Sequence, residues 1–284
     1  MPTLAYHVVD VFTDRAYAGN PLAVVLDADD LGTEQLQAVA REFNLSETAF
    51  PLPPTEPGAA DYRVRIFTPN QELPFAGHPS VGTAWLLARL GRIGTGPVRQ
   101  ECGAGILPVQ VTAEGATLTG GAPTVGEELD PEPLLAAAGL EGADGAGVPP
   151  RTCGTGLEWT YLPVAAGAVG RAVPDWVALP RAVRSMGLAV LSWDAERRAA
   201  HLRALTDEGF EDPATGSATL GLGVYLAAAG LVPDGTTAYR VSQGAEIGRP
   251  STLHGTVTVT GGRAERATVR GGVAPVAVGE LTPP

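Results

Sequence analysis

Two stretches in different halves of this chain follow the same plan. HPSVGTAWLLARLG (78–91) and DPATGSATLGLGVYLAAAG (212–230) each begin with a polar residue and a proline, and each runs through apolar residues to a glycine. Proline is tolerated in the first turn of a helix, and glycine commonly ends one. Because both stretches are apolar on nearly every face, they predict two helices that are buried on all sides.

The residues around these stretches indicate an internal duplication. His78 and Asp212, which lead the two copies, are 134 residues apart, close to half of the 284-residue chain. Each copy also follows an alternating, strand-like segment, in which Arg203 of HLRALT matches Arg65 of YRVRIFT. We therefore expect an α+β fold of two pseudo-symmetric lobes, each a β-barrel-like sheet wrapped around a central apolar helix.

Strand-like segments and glycine- and proline-rich loops suggest how the chain is divided between the lobes. The N-terminal lobe is expected over residues 1–120, completed by a C-terminal strand at about 268–284, and the C-terminal lobe over 121–267. A cleft between two lobes is a common place for a small-molecule site, and we expect the functional site there.

The starts of the two predicted helices carry groups that can bind an anion. A helix N-terminus presents backbone N–H groups and the positive end of the helix dipole, and it binds carboxylates without a lysine. Asp212 can cap its helix, Gly216 and Ser217 offer donors, and His78 stands where Asp212 does in the other copy. Aspartate at a helix start is usually only a cap, and histidine before proline is usually a turn residue, so structural roles stay open.

The composition excludes several classes of protein. The chain contains no lysine, whereas pyridoxal-phosphate enzymes, Schiff-base aldolases, Walker-type phosphate loops and protein kinases all need one. The formal net charge of −12 and the absence of a basic run argue against nucleic acid or an anionic membrane surface as a partner. The four histidines lack metal-ligand spacing, so no metal site is expected.

Location is also suggested by what the sequence lacks. No stretch has the ~18 apolar residues of a membrane-spanning helix, and the first residues lack the basic region and apolar core of a signal peptide. We therefore expect a cytoplasmic protein in which Cys102 and Cys153 stay reduced.

An ordered set of motifs covers almost the whole chain. They are DVFTDRAYAGNPLAVV at 10–25, LSETAF at 45–50, VRIFTPNQELPFAGHPSVG at 64–82, EDPATGSA at 211–218 and QGAEIGRPS at 243–251. This set resembles the PhzF-like family of phenazine-biosynthesis isomerases, which is related in fold to diaminopimelate epimerase and proline racemase. The resemblance implies two similar lobes, no metal or organic cofactor, and a homodimer.

The resemblance also implies roles for individual residues. Glu47 in LSETAF corresponds to the family's general acid/base, and His78 and Asp212 correspond to two further catalytic positions. Gly216 and Ser217 correspond to the family's nest of hydrogen-bond donors.

Three further residues are candidate substrate contacts. Gly77 offers a backbone N–H beside His78, Asn20 in the AGNP turn can line the pocket, and Arg249 in GRPS can contact a carboxylate. Asn20 and Arg249 are equally consistent with supporting a turn.

The implied reaction is a proton shift in a small cyclic or conjugated carboxylate, of the kind represented by a dihydro-hydroxyanthranilate. One half-buried carboxyl group can remove a proton at one carbon and return it at another. We assign this role to Glu47 and expect a cofactor-independent isomerase with a small-molecule carboxylate substrate, whose identity and pathway stay open.

Two alternatives stay open beside this interpretation. ECGAG (101–105) and TCGTG (152–156) look like the Cys-Gly-x-Gly boxes of the epimerases, which would suggest an amino-acid epimerase or racemase. Such boxes must open helices to stabilise a thiolate, whereas alternating strands follow Cys102 and Cys153, so we interpret both as structural. The second alternative is a non-catalytic small-molecule-binding protein on the same fold.

Overall fold

The computed structural model describes residues 3–284 and places them in two units. Unit 1 comprises the described residues up to Thr119 together with Arg270–Pro284, and unit 2 comprises Gly120–Val269. Among residues 3–284, no helix is both long enough and apolar enough to cross a membrane.

Eight strands of unit 1 form a closed ring. The elements of the unit are β1 (Leu4–Val11), β2 (Asn20–Val25), α1 (Thr33–Phe43), β3 (Glu47–Leu52), β4 (Tyr62–Phe67), β5 (Glu72–Leu73), α2 (Gly77–Arg89), β6 (Gly96–Cys102), β7 (Gly105–Val111), β8 (Gly115–Thr119) and the last part of β17 (Arg263–Leu281). Pairing runs β1-β2-β3-β4-β6-β7-β8-β17, and β17 pairs again with β1. Helix α2 packs against β1, β2, β3, β7 and β8 of this ring.

Unit 2 has the same plan with longer insertions. Its elements are β9 (Thr124–Glu128), α3 (Pro131–Ala137), β10 (Arg151–Gly154), β11 (Glu158–Pro163), α4 (Leu179–Ala182), β12 (Gly187–Asp194), β13 (Ala199–Thr206), β14 (Glu211–Asp212), α5 (Gly216–Ala228), β15 (Gly235–Gln243), β16 (Ser251–Thr260) and the first part of β17, with 3₁₀ turns at Gly142–Asp144 and Val169–Arg171. Helix α5 packs against β9, β10, β11 and β16.

The two units repeat the same strand pairings in the same order. In unit 1, β1–β2 is antiparallel, β2–β3 parallel, β3–β4 antiparallel and β4–β6 parallel. In unit 2, β10–β11, β11–β12, β12–β13 and β13–β15 repeat these four orientations. The α+β fold of two pseudo-symmetric lobes, each wrapped around an apolar helix, is therefore confirmed.

Both central helices are buried, as their sequences predict. Every residue of α2 from Gly77 to Leu87 is buried. In α5 every residue from Gly216 to Ala227 is buried except Ser217. A helix with no polar face is stable only where apolar side chains surround it, and the strands of each unit provide them.

The structure corrects the register in which the two copies were aligned. Helix α2 begins at Gly77 and α5 at Gly216, so equivalent helix residues are 216 − 77 = 139 positions apart, not 134. In this register the counterpart of His78 is Ser217, and Asp212 corresponds to Leu73 in the short strand before the helix.

The expectation that Asp212 caps α5 was therefore wrong. Asp212 pairs with Ala204 as part of β14, and the residue that precedes the first helical residue is Thr215. The N-cap of α5 is thus Thr215, whose backbone is extended, and Asp212 lies three residues before it.

The corrected register also aligns two glycines at which a strand approaches a central helix closely. A Cβ on Gly82 of α2 would lie 2.7 Å from Leu22 Cδ2, and a Cβ on Gly221 of α5 would lie 2.4 Å from Tyr161 Oη. Since 82 + 139 = 221, both units omit the side chain at the same point of the helix.

An ion pair is repeated as well, at different degrees of burial. In unit 1, Arg65 Nε and Nη2 donate to the two carboxylate oxygens of Glu72 at 2.7 and 2.6 Å. In unit 2, Arg203 makes the same two bonds to Glu211 at 3.0 and 2.7 Å. The side chains are 23% and 38% exposed in the first pair, but only 8% and 6% exposed in the second.

This matched pair predicts unequal stability losses. Arg203→Met leaves the Glu211 carboxylate buried without its partner, which should lower the free energy of unfolding by about 3–5 kcal/mol. Arg65→Met removes a pair that water can replace, so its loss should be about 1 kcal/mol or less. Chemical denaturation of both variants checks this, and equal losses would contradict the burial argument.

Candidate active site

Unit 1 brings together the predicted base and the predicted histidine. Glu47 is the first residue of β3, and His78 is the second residue of α2. Nδ1 of His78 lies 3.6 Å from Oε2 of Glu47, and their side chains are 5% and 16% exposed, respectively. A carboxyl group at this distance from an imidazole, and largely shielded from water, can exchange protons with a ligand under the influence of a neighbouring charge.

Asn20 and Gly77 belong to the same region of unit 1. Asn20 is the first residue of β2, which pairs in parallel with β3 so that Leu22 lies opposite Glu47. The Asn20 side chain is buried, and its Oδ1 accepts a hydrogen bond of 3.1 Å from the Ser46 hydroxyl. Because the two strands are parallel, both begin at the same end of the sheet, and Asn20 and Glu47 are their first residues.

A buried polar chain that the sequence analysis missed holds the start of α2. The Tyr62 hydroxyl donates to Gln100 Oε1 (2.8 Å), Gln100 Nε2 donates to Ser80 Oγ (2.9 Å), and the Ser80 hydroxyl donates to the carbonyl of Ala76 (2.8 Å). Burial raises the pKa of the Tyr62 phenol, which keeps it protonated and able to donate. This series of hydrogen bonds fixes the turn that carries Gly77 and His78.

In unit 2, Ser217 is the one residue of α5 between Gly216 and Ala227 that is half-buried rather than buried. The Trp159 indole N–H donates to Ser217 Oγ at 3.0 Å. Because an indole N–H can only donate, the serine oxygen is the acceptor in this bond, and its own proton can be donated to a ligand. Helix geometry also directs the N–H groups of Gly216 and Ser217 out of the helix start.

Asp212 lies just before this helix and is fixed by its neighbours. The Thr215 hydroxyl donates to Asp212 Oδ2, and Gln243 Nε2 donates to the Asp212 carbonyl oxygen at 2.7 Å. Gln243 and Ser251 were not predicted as site residues, although both lie in the QGAEIGRPS motif. Ser251 supports the same segment, because its hydroxyl donates to the Pro213 carbonyl at 2.9 Å.

Arg249 lies beside these residues with a half-buried side chain. Its backbone N–H donates to the Gly244 carbonyl at 2.8 Å, and its carbonyl, also 2.9 Å from Ser251 Oγ, shares the hydroxyl proton with the Pro213 carbonyl. Its backbone therefore supports the loop, while the contact of its guanidinium with a substrate stays a prediction.

The structure thus groups the predicted site residues by unit. Asn20, Glu47, Gly77 and His78 belong to unit 1, while Asp212, Gly216, Ser217 and Arg249 belong to unit 2. Their catalytic and binding roles stay predictions.

A strand follows each cysteine, as the sequence predicts, and the cysteines themselves also lie in strands. Cys102 ends β6, and Cys153 lies within β10 and is fully buried. Burial raises the pKa of both thiols, that of Cys153 to about 12. Neither cysteine is at a helix start that could stabilise a thiolate, as the epimerase boxes require.

Known proteins with similar sequences and structures match almost the whole chain. The family model described as phenazine biosynthesis-like protein matches residues 9–279. An uncharacterized isomerase of Mesorhizobium japonicum is 38% identical over 99% of both chains, and the trans-2,3-dihydro-3-hydroxyanthranilate isomerase of Pseudomonas aeruginosa is 37% identical over 96% of this chain and 98% of its own. The crystal structure of a PhzF-family phenazine biosynthesis protein of Bacillus anthracis has a TM-score of 0.89 and 27% identity, covering 99% of this chain and 100% of that one.

The state of the thiols can be tested directly. Cys153 is fully buried and burial raises its pKa to about 12, so this thiol should not react with a disulfide reagent such as DTNB in the folded protein at pH 8. Unfolding should make Cys153 reactive as well, so that both thiols are then labelled. A Cys153→Ser variant should match the folded wild type in its labelling, and rapid labelling of Cys153 in the folded protein would contradict the assignment.

Proposed function

We propose, from the premise that the chain belongs to the phenazine biosynthesis-like (PhzF) family and is an isomerase, that Glu47 moves a proton within a small cyclic or conjugated carboxylate. The Pseudomonas aeruginosa relative, which matches almost end to end, is named for trans-2,3-dihydro-3-hydroxyanthranilate. We take that compound, a cyclic amino acid, as the test substrate for this chain.

The proposal rests above all on the approach of Glu47 to His78. The 3.6 Å separation of Oε2 and Nδ1 sets an acid/base group beside a second group that can hold a proton. The carboxyl side chain is 16% exposed, so it is shielded from bulk water but open enough for a ligand to contact it. A proton taken from a substrate carbon can therefore be retained until it is returned.

The reaction needs one proton and no change in oxidation state. Glu47 as the carboxylate removes a proton from a carbon next to the conjugated system, and the electron pair of the broken C–H bond shifts along that system. The resulting carboxylic acid then protonates a different carbon. Since the proton removed is the proton returned, one carboxyl group suffices and the reaction requires no cofactor.

His78 has a supporting role in this proposal. Its imidazole is almost completely buried beside Glu47, so the charge on one group affects the other strongly. We assign it the tasks of balancing the charge on Glu47 and orienting a polar substituent of the substrate.

The start of α5 supplies the groups for a carboxylate. The Ser217 oxygen accepts the Trp159 indole N–H, so the serine proton is available for a ligand. The N–H groups at Gly216 and Ser217 add the positive end of the helix dipole. Such donors can bind an anion without a lysine, which this chain lacks. Asp212 and Arg249 are proposed to contact further polar groups of the substrate.

The amino-acid epimerase alternative requires thiolates, and the surroundings of both cysteines disfavour this form of the thiol. Cys102 and Cys153 lie in strands, and burial raises the pKa of both. The homodimer implied by the family resemblance stays a prediction.

Glu47→Gln should abolish the proton shift. An amide cannot accept the substrate proton, and losing a general base typically costs a factor of about 100 to 10,000 in rate. Turnover of trans-2,3-dihydro-3-hydroxyanthranilate, followed by NMR, should fall by about 100-fold or more, while the melting temperature stays near that of the wild type.

Two controls accompany this variant. Glu34→Gln changes an exposed glutamate in the first turn of α1 and should leave turnover unchanged. Cys102→Ser/Cys153→Ser should also retain turnover. Full activity of Glu47→Gln would refute the assignment, and loss of activity in the folded cysteine variant would favour the thiol mechanism.

Ser217→Ala should weaken substrate binding rather than chemistry. A hydrogen bond to a charged group contributes about 1.5–3 kcal/mol, so KM should rise about tenfold or more. The change in kcat should be small, because a carboxylate is bound in both the ground state and the transition state. Steady-state kinetics check this, with exposed Ser242→Ala as the control. A fall in kcat at constant KM would contradict a binding role.

A further inference from the structure

The two units differ at the hairpin that follows the central helix. Strand β6 has 7 residues and β15 has 9, so the hairpin of unit 2 is longer at its tip. The extension ends at Gln243, whose counterpart in the 139-residue register is Ala104, a residue outside the strands of unit 1. The extra length therefore delivers an amide side chain to the segment before α5.

Both the oxygen and the nitrogen of the Gln243 side-chain amide form hydrogen bonds, and these bonds fix the orientation of the amide. It is 1% exposed. Its Nε2 donates to the Asp212 carbonyl oxygen (2.7 Å) and to Thr215 Oγ1 (2.9 Å), and its Oε1 accepts from the Thr215 backbone N–H (3.1 Å). Exchanging the amide oxygen and nitrogen would oppose two oxygens at Asp212 and two donors at Thr215, so this is the one amide orientation that fits.

The amide orientation determines where the Thr215 proton points. Thr215 Oγ1 already accepts from Gln243, so its own single proton donates to Asp212 Oδ2. Asp212 Oδ2 must accept that proton and cannot carry one itself. The series Gln243–Thr215–Asp212 therefore has one direction, and it favours the ionised carboxylate in one orientation.

Unit 1 shows that the fold does not require this series. Leu73 occupies the position of Asp212, and Ala76 occupies that of Thr215. Neither side chain can form a hydrogen bond, yet both units have the same strands, the same pairings and a central helix of 13 residues. The polar series is thus an addition in unit 2, placed beside the start of α5.

We infer that Thr215, held by Gln243, is a positioning residue that fixes the Asp212 carboxylate for contact with the substrate. The placement of the Asp212 carboxylate by Thr215 is inferred from the hydrogen bonds of Thr215 and Gln243. Its use in turnover rests on the proposed function, so the two parts need separate measurements.

Thr215→Val provides the main test. Valine has nearly the same shape as threonine and suits the extended backbone at this position (φ −108°, ψ 100°), but it lacks the hydroxyl. We expect the Asp212 side chain to leave its position or become disordered in a crystal structure of the variant. We also expect kcat/KM for the isomerisation to fall about 10- to 100-fold, as for other hydrogen bonds to charged groups.

Two matched variants separate positioning from a general effect on packing. Thr215→Ser restores the hydroxyl and should restore both the Asp212 position and turnover. Thr219→Val makes the same substitution one helical turn later, at a buried hydroxyl that has no hydrogen-bond partner within residues 3–284, and should change neither. If Thr215→Val does not fold, Thr215→Ala removes the same hydroxyl with less bulk.

The outcomes are distinct. An unmoved Asp212 carboxylate in folded Thr215→Val, or in Thr215→Ala, overturns the inference whatever the activity. An Asp212 displaced in Thr215→Val but restored in Thr215→Ser supports positioning. If turnover stays at the wild-type level in spite of that displacement, the contact of Asp212 with the substrate is refuted and its positioning by Thr215 stands. Absence of isomerisation by the wild type would refute the proposed function, and the crystal structures would still decide the positioning.

Discussion

The burial of two helices that have no polar face is the constraint on which the rest of the structure depends. An apolar helix that cannot face water must be surrounded, and a curved sheet whose strands contact it from several sides achieves this. Strand and helix then approach so closely that positions 82 and 221 have no room for a side chain, and both are glycine. It also leaves the helix start as the part of each helix where polar groups can be presented, which is where Gly77, His78 and Ser217 lie.

The two units are similar scaffolds that carry different side chains at the start of the central helix. The strand pairings and the bidentate arginine–glutamate pair are common to both units, so they belong to the scaffold. Two positions with candidate functional roles differ between the units. His78 in one unit corresponds to Ser217 in the other, and Leu73 corresponds to Asp212. The longer β15 then adds Gln243, which bonds the backbone of Asp212 and both the backbone and the hydroxyl of Thr215.

The two units contribute different kinds of group. Unit 1 brings a carboxyl group and an imidazole within 3.6 Å, an arrangement suited to holding and moving a proton. Unit 2 brings backbone N–H groups, a hydroxyl and an oriented aspartate to a helix start, an arrangement suited to binding polar substituents. The absence of lysine is compatible with both, because neither proton transfer by a carboxyl group nor anion binding by a helix start requires an amine.

The sequence by itself determined the fold class, the two buried helices, the strand character around both cysteines and the family, because apolar patterning and ordered motifs are local properties of the chain. Tertiary structure decided the register of the repeat. Seven similar residues could not show that Asp212 ends a strand rather than capping a helix, since that depends on its pairing with Ala204. It also decided that Glu47 and His78, 31 residues apart, lie together, and that Trp159, Gln243 and Ser251 support α5 and the segment before it. Those contacts join residues that are distant in the chain, and only the pairing of strands around each helix fixes which of them meet.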